Sequence, residues 1–378
     1  MIPYWRLSSI YFSYFAVVGS LMPFWGLYLQ TLGFDARQIA TLIAIPLITK
    51  VIGPNLWGWL ADYSQKPLLI IRLGALGASL LFFGLTFRED YGALCFLIAA
   101  YSFFWNAILP QFEVITLRHL RDQPHTYGRI RLWGSISFIL AVLGLGVYFD
   151  YYPLAQLPII VSVFMFGIFL TTCAIPNAQP LKHSDHSTSF LATLKQPVVL
   201  IFFLVCFLLQ MSHGVYYVFY SIYLESYGYS HFTIASFWAV GVIAEIFIFL
   251  KMPQLFYRFS IYHLLGVSLL LTAVRWLGIG LFPEQPLMLI GLQILHALSF
   301  GVTHAVAIET IRRTFSVRSQ NQGQAFYSAF SFGGGAALGA YLSGPFWLLS
   351  ANGSFLLMSL PALLGLILMK IYLKRFLS

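Results

Sequence analysis

Polar residues are scarce along this chain and gather between long apolar runs. Twelve such runs follow one another, at roughly 7–30, 37–60, 67–87, 93–118, 128–149, 155–175, 195–222, 232–255, 260–281, 286–310, 320–347 and 353–373. Each is about 20 residues long, the length of a helix that crosses a bilayer. The run at 7–30 is too long for a cleaved leader and lacks a small-residue cleavage site, so it is expected to be the first membrane helix.

One segment interrupts the pattern. Ile175 to Phe190, IPNAQPLKHSDHSTSF, is polar, contains two prolines and shows no apolar period. It predicts a linker over 176–194 between an N-terminal six-helix bundle (1–175) and a C-terminal one (195–378). His183 and His186 within it read as loop histidines rather than metal ligands. A six-plus-six arrangement predicts an internal repeat, and YGRIRLWGSISF from Tyr127 and QGQAFYSAFSF from Gln322 align with Gly128 and Gly323 in register. SFGGGAALGAYLSG, Ser331 to Gly344, lies inside a membrane run, so its glycines predict close helix packing rather than a phosphate loop.

Composition agrees with this class. Hydrophobic residues make up 59% and charged residues 9% of the 378 positions, against roughly 25% charged in soluble domains. The predicted fold class is an all-α membrane protein of twelve transmembrane helices. With the amino terminus inside, 17 of the 21 Lys and Arg fall at cytoplasmic ends. Arg37 and Arg88 fall outside, and Lys50 and Arg275 lie within helices. Both termini and the linker are therefore expected in the cytoplasm, with the chain in a bacterial-type inner membrane. The net charge of +9 reads as this loop bias and not as a nucleic-acid surface. Cys95, Cys173 and Cys206 stand singly in apolar runs and read as packing residues.

Ionisable residues inside the runs are the candidate chemistry. Glu245 sits in VGVIAEIFIFL, where a carboxylate costs about 2.5–3.5 kcal/mol by insertion scales. Lys50, Arg275, His296 and His304 are similarly placed. At 1.5 Å per residue, Glu245 stands about 15 Å, and Arg275 and His296 about 21 Å, from the cytoplasmic helix ends. These three are expected at one depth as a proton-coupling group. Lys50 has no acid in its own helix and suits the anionic group of a substrate, unless it pairs with Glu113. His304 stands between an interhelical hydrogen-bond partner and a substrate contact. Aromatic residues reach 18%, and Trp105, Tyr216, Tyr217 and Tyr220 are candidates to line a cavity.

Two sets of motifs carry a resemblance. GWLADYSQK, Gly58 to Lys66, resembles the cytoplasmic loop signature of the major facilitator superfamily, which marks Gly58 and Asp62 as a gating loop. Tyr63 and Pro67 depart from its basic positions. HGVYYVFYSIYLESYGYS, VGVIAEIFIF, AVRWLG and LQILHALSFGVTHA resemble the phenylpropionate permease family, relatives of lactose permease, as do LPQFEVITLRHL and YGRIRLWGS. The resemblance implies a major facilitator fold and proton symport. It matches Glu245, Arg275 and His296 to the coupling and binding residues of lactose permease, and Glu113 and Arg131 to a sugar-holding pair. Where lactose permease has a lysine and a glutamate flanking its histidine, this chain has Gln293 and Ser299. That departure leaves Glu245 as the leading proton carrier and puts sugar transport in doubt.

The expected function is a proton-coupled symporter of a small organic acid, with aromatic acids among the candidates, working by alternating access as a monomer. A nucleoside or sugar symporter and a metabolite efflux carrier are the alternatives, and a non-transporting receptor is a remote one. No cofactor is expected beyond the proton gradient. An enzyme is disfavoured, since His213 beside Ser212 and Glu309 near His304 lack a third catalytic partner.

Overall fold

The computed structural model describes residues 2–120, 123, 126–176 and 189–377. Its long helices are α1 (Tyr4–Thr31), α2 (Ala36–Ser64), α3 (Pro67–Phe87), α4 (Tyr91–His119), α5 (Tyr127–Tyr151), α6 (Leu154–Cys173), α7 (Pro197–Ser226), α8 (His231–Arg258), α9 (Ile261–Leu281), α10 (Pro286–Thr314) and α12 (Ala351–Leu377). These eleven are long and apolar enough to cross a membrane. Between the last two runs α11, the twelfth long helix, passes from Gln320–Tyr327 through a π-helical stretch, Ser328–Gly335, to Ala336–Leu349. Its glycines lower its hydropathy without breaking its helix. The fold is the all-helical, multi-pass membrane class expected.

Local chemistry sets the ends. Asp35 and Gln38 form a capping box at the start of α2. Ser260 caps α9 and Ser350 caps α12. α2 ends on Gln65 at φ 52, and Pro67 opens α3 one residue after Lys66. GWLADYSQK is thus mostly the last turns of α2, and only Gln65 and Lys66 lie between the helices. His183 and His186 fall outside the described residues. The end of the expected linker is a short helix, Ser189–Leu194. Phe190 in it stacks on Phe315 at 5.7 Å, so an apolar anchor draws this part onto a core.

The chain divides into two compact units, Met1–His183 with Tyr229–Ser236, and Ser184–Gly228 with Phe237–Ser378. In the first, α1 packs on α5 and α6, and α3 on α4 and α6. In the second, α7 packs on α11 and α12, and α9 on α10 and α12. Adding six to each helix number turns one pattern into the other, which is the repeat the sequence suggested. The closest crossings repeat as well. A Cβ added at Gly19 of α1 would stand 2.7 Å from the Phe138 carbonyl oxygen of α5, and one at Gly339 of α11 would stand 2.1 Å from that of Met211 in α7. Backbones approach this closely only where side chains are absent. The Gly128 and Gly323 register is weaker in space, since Gly128 has open surroundings and Gly323 packs on Ile311 and Phe315.

The start of α8 belongs with the first unit because Asp150, at the end of α5, accepts hydrogen bonds from the His231 (2.7 Å) and Phe232 (3.3 Å) N–H groups. Ser230 accepts from Thr233 N–H at 3.2 Å. Three of the first helical donors of α8 thereby find partners.

Candidate functional site

Three helices lose their regular hydrogen-bonding pattern where the polar candidates sit. α4 is interrupted at Asn106 and Ala107, α7 at His213, and α10 at Leu295 ahead of a π-helical stretch, Ala297–Val302. Such breaks are tolerated at membrane depth only where protein or a polar cavity receives the freed backbone groups.

The second unit holds the larger polar cluster. Arg275 of α9 is fully buried. It donates from Nε to the Leu292 carbonyl (3.2 Å), from Nη1 to the Ser299 hydroxyl (3.3 Å) and from Nη2 to Gln293 Oε1 (3.1 Å). Its guanidinium also lies 4.3 Å from the Tyr216 ring centre and 4.6 Å from that of Trp276, a favourable stacking for a desolvated cation. Gln293 Oε1 takes a second bond from the Tyr216 hydroxyl at 3.0 Å, tying α7, α9 and α10 together. Glu245 of α8 approaches α10 at small residues, its Cγ 3.2 Å from where a Gly301 Cβ would be. Its Oε2 is 3.9 Å from His296 Nε2. Tyr217 is half-buried and stacks on His213 at 5.8 Å.

A smaller cluster lies in the first unit. Glu113 of α4 accepts from the Tyr127 hydroxyl at 3.4 Å and lies within Coulombic reach of both Arg131 and Lys50. Arg131 of α5 stacks on Phe15 at 3.8 Å, with Tyr11 at 5.7 Å, so its charge turns onto α1. Next to Lys50, Thr49 donates to the Ser102 hydroxyl (2.9 Å) and accepts from Asn106 Nδ2 (3.0 Å), which joins α2 to the break in α4. Trp105 stacks on Tyr14 with ring centres 4.2 Å apart.

The structure thus brings Glu245, Arg275 and His296 into one cluster and Lys50, Glu113 and Arg131 into another. Trp105 and Tyr217 stand beside these clusters. His304 does not touch His296 directly. The Phe300 ring stacks between them, and His304 continues onto Tyr327 at 5.9 Å. Gly58 and Asp62 line a separate cleft of about 140 Å³ with Gln111 and Arg118, and Asp62 is exposed. The sequence reading left out Gln293, Ser299 and Trp276 as site residues, along with Tyr11 and Tyr127. Gln293 and Ser299 carried a usable signal, being polar at three-residue spacing on either side of His296 in an apolar run.

A model of the MFS_1 like family matches residues 4–357. The chain belongs to the MFS_1-like family. This member of the family is 30% identical over 368 residues to the "Probable 3-phenylpropionic acid transporter" of Escherichia coli (strain K12), with 94% of each chain covered. It is 27% identical over 384 residues to the "Maltose permease" of Geobacillus stearothermophilus, covering 97% of this chain and 93% of that one. The crystal structure of the nucleoside transporter NupG matches with a TM-score of 0.87 and 19% identity, over 99% of this chain and all of the other. At that identity the last likeness bears on the fold. The MFS_1-like chain is therefore a multi-pass membrane transporter for a small molecule and not an enzyme.

Proposed function

We propose that this transporter is a proton-coupled symporter of a small organic acid carrying one negative charge, an aromatic carboxylate in first place. One observation carries the reading. In the first-unit cluster two basic side chains, Lys50 and Arg131, act on one carboxylate, Glu113. A monoanionic ligand would bring a second anion to this pair of basic groups. The stacked Tyr14 and Trp105 rings beside the cluster suit an aromatic body. The Escherichia coli relative is named for such an acid.

Coupling is assigned to Glu245. Ionised, it takes its place near His296 and the Arg275 network. Protonated, it loses that attraction, and a change of this kind biases a two-state equilibrium. The protein works as a monomer in a bacterial-type inner membrane, with both termini in the cytoplasm. Sugar or nucleoside symport is the second reading, favoured by the relatives named "Maltose permease" and "Putative nucleoside transporter YegT".

Reconstituted vesicles separate these readings. With an imposed pH gradient, 3-phenylpropionate should accumulate and maltose and a nucleoside should not. Lys50→Ala should weaken binding of 3-phenylpropionate at least about tenfold more than binding of its neutral amide, a difference of about 1.4 kcal/mol. Equal losses for acid and amide would leave Lys50 a structural role. Glu245→Gln should abolish gradient-driven accumulation while exchange of internal for external substrate persists. Accumulation by that variant at the wild-type proton stoichiometry would remove Glu245 from the coupling step.

A further inference from the structure

His213 occupies the break in α7, fully buried, and its Nδ1 lies 2.8 Å from the Leu209 carbonyl oxygen. A carbonyl only accepts, so Nδ1 carries the proton and Nε2 of the neutral ring is a lone pair. Among the described residues that Nε2 has no hydrogen-bond partner. His296 presents the matching case from α10. Its Nε2 faces the Glu245 carboxylate, which draws the ring proton to that side. Its Cδ2 edge is turned to α8, 3.4 Å from where a Gly241 Cβ would be, so Nδ1 looks away from α8. Nδ1 too has no partner among the described residues.

Gln293 adds the complementary group. Its Oε1 is occupied by Tyr216 and Arg275, which fixes the orientation of the amide. Its Nε2 is left as a buried donor with no partner among the described residues. Two acceptors and one donor, from three residues of one cluster, are thus unmatched.

His213 and His296 cannot satisfy each other, because two lone pairs repel. Their ring centres are 6.5 Å apart. Where the two nitrogens face each other this leaves roughly 4 Å between them, the span of one oxygen with bonds of about 2.8 Å to each. Water donates two hydrogen bonds and accepts one, the complement of this set. A substrate hydroxyl has a single hydrogen and meets only one of the two acceptors. Buried waters typically sit where about three polar partners converge.

We propose that one buried water joins His213, His296 and Gln293, and that His213 through it is a positioning residue that holds His296 with its Nε2–H toward Glu245. The consequence for transport rests on the coupling role proposed for Glu245. The held tautomer turns an N–H dipole toward the ionised carboxylate 3.9 Å away, whereas the other tautomer would turn a lone pair to it. The anchor is the Leu209 carbonyl, which selects the His213 tautomer at the helix break.

The test is ¹⁵N NMR of purified protein labelled at histidine, with the two signals assigned by single His→Gln variants. His213 should be the Nδ1–H tautomer and His296 the Nε2–H tautomer, with magnetisation transfer from one long-lived water to Hε1 of both rings. His213→Phe keeps an aromatic ring and removes the acceptor. It should turn His296 into a mixture of tautomers and lower the proton-to-substrate flux ratio severalfold. His213→Gln, whose amide oxygen reaches the Nε2 position, should restore both. A wild-type His296 in the Nδ1–H form, or no water transfer to the two rings, overturns the proposal even if the phenylalanine variant fails to fold. An unchanged His296 tautomer in a folded His213→Phe overturns it as well. The expected tautomers and water in a protein that moves no protons would uphold the bridge and remove the coupling role of Glu245 instead.

Discussion

Arg275→Lys tests whether the buried guanidinium holds the second unit together by its shape or by its charge. Lysine keeps the charge but replaces a planar fork with a point donor on a flexible stem. Arg275 donates in three directions, to the Leu292 carbonyl, the Ser299 hydroxyl and Gln293 Oε1, and lies against the Tyr216 and Trp276 rings. A single ammonium reaches one of those acceptors well, so about two bonds and the stacking are lost. Hydrogen bonds to charged groups contribute about 1.5–3 kcal/mol each in soluble proteins, which would put the loss above 3 kcal/mol. Interhelical bonds in membranes average nearer 0.6 kcal/mol, because the unfolded reference also finds partners. The two scales bracket the effect at about 1–6 kcal/mol, from roughly 5-fold to about 10⁴-fold in the folded-to-unfolded ratio. Reversible unfolding in mixed detergent micelles, followed by tryptophan fluorescence, reads this directly, since Trp276 adjoins the arginine. A lysine variant as stable as the parent would show that the fork contributes nothing. Arg275 would then matter for its charge alone.

Three further outcomes follow from the packing and topology. Gly339→Ala should cost at least about 1–3 kcal/mol in the same assay, the usual range for overpacking, because the new methyl would meet the Met211 backbone at 2.1 Å. Gly144→Ala, with nothing within 4 Å of its added Cβ, should be neutral or mildly stabilising, and equal losses in the two would refute the crossing argument. Asp150→Ala should cost about 1 kcal/mol through the lost cap of α8, and Asp150→Asn, which keeps an acceptor, should recover most of it. Reporter fusions at Gln179 and Ser378 should be active only in the cytoplasm, and activity outside would overturn the assigned orientation.

Much of this fold was legible because bilayer thickness sets the length of each apolar run. The run at 67–87 coincides with α3, Pro67–Phe87, and most of the others fall within a turn of the observed helices. The extra length lies at the ends, as at Arg258 and Thr314, where polar residues continue a helix past the apolar stretch. Glu245, Arg275 and His296 were legible as a group because intramembrane ionisable residues are rare and their depths agree. Their partners were less so. Tyr216 and Trp276 look like any of the many aromatics until the break at His213 and the α9 crossing bring both against one guanidinium. The four-residue spacing of His296, Phe300 and His304 was the readable sign that the Phe300 ring comes between the two histidines on one helix face.

Gln293 and Ser299 give the departure from lactose permease a physical sense. Both are neutral, and both accept from the guanidinium of Arg275. The cation therefore receives dipoles at two of its three donor directions, where a lysine would repel it and a glutamate would neutralise it. With Arg275 held by dipoles, the charge of the cluster depends on Glu245: near zero when that acid is ionised, near +1 when it is protonated. A second acid at Ser299 would dilute this difference, since Arg275 would keep an anionic partner after Glu245 took up its proton. On the proposed reading, the neutral pair makes one proton on one carboxylate a full unit of charge in a buried site. Restoring an acid with Ser299→Glu should then leave substrate binding measurable while reducing accumulation driven by a pH gradient. If gradient-driven accumulation survives undiminished in that variant, the net charge around Arg275 is not what the proton controls.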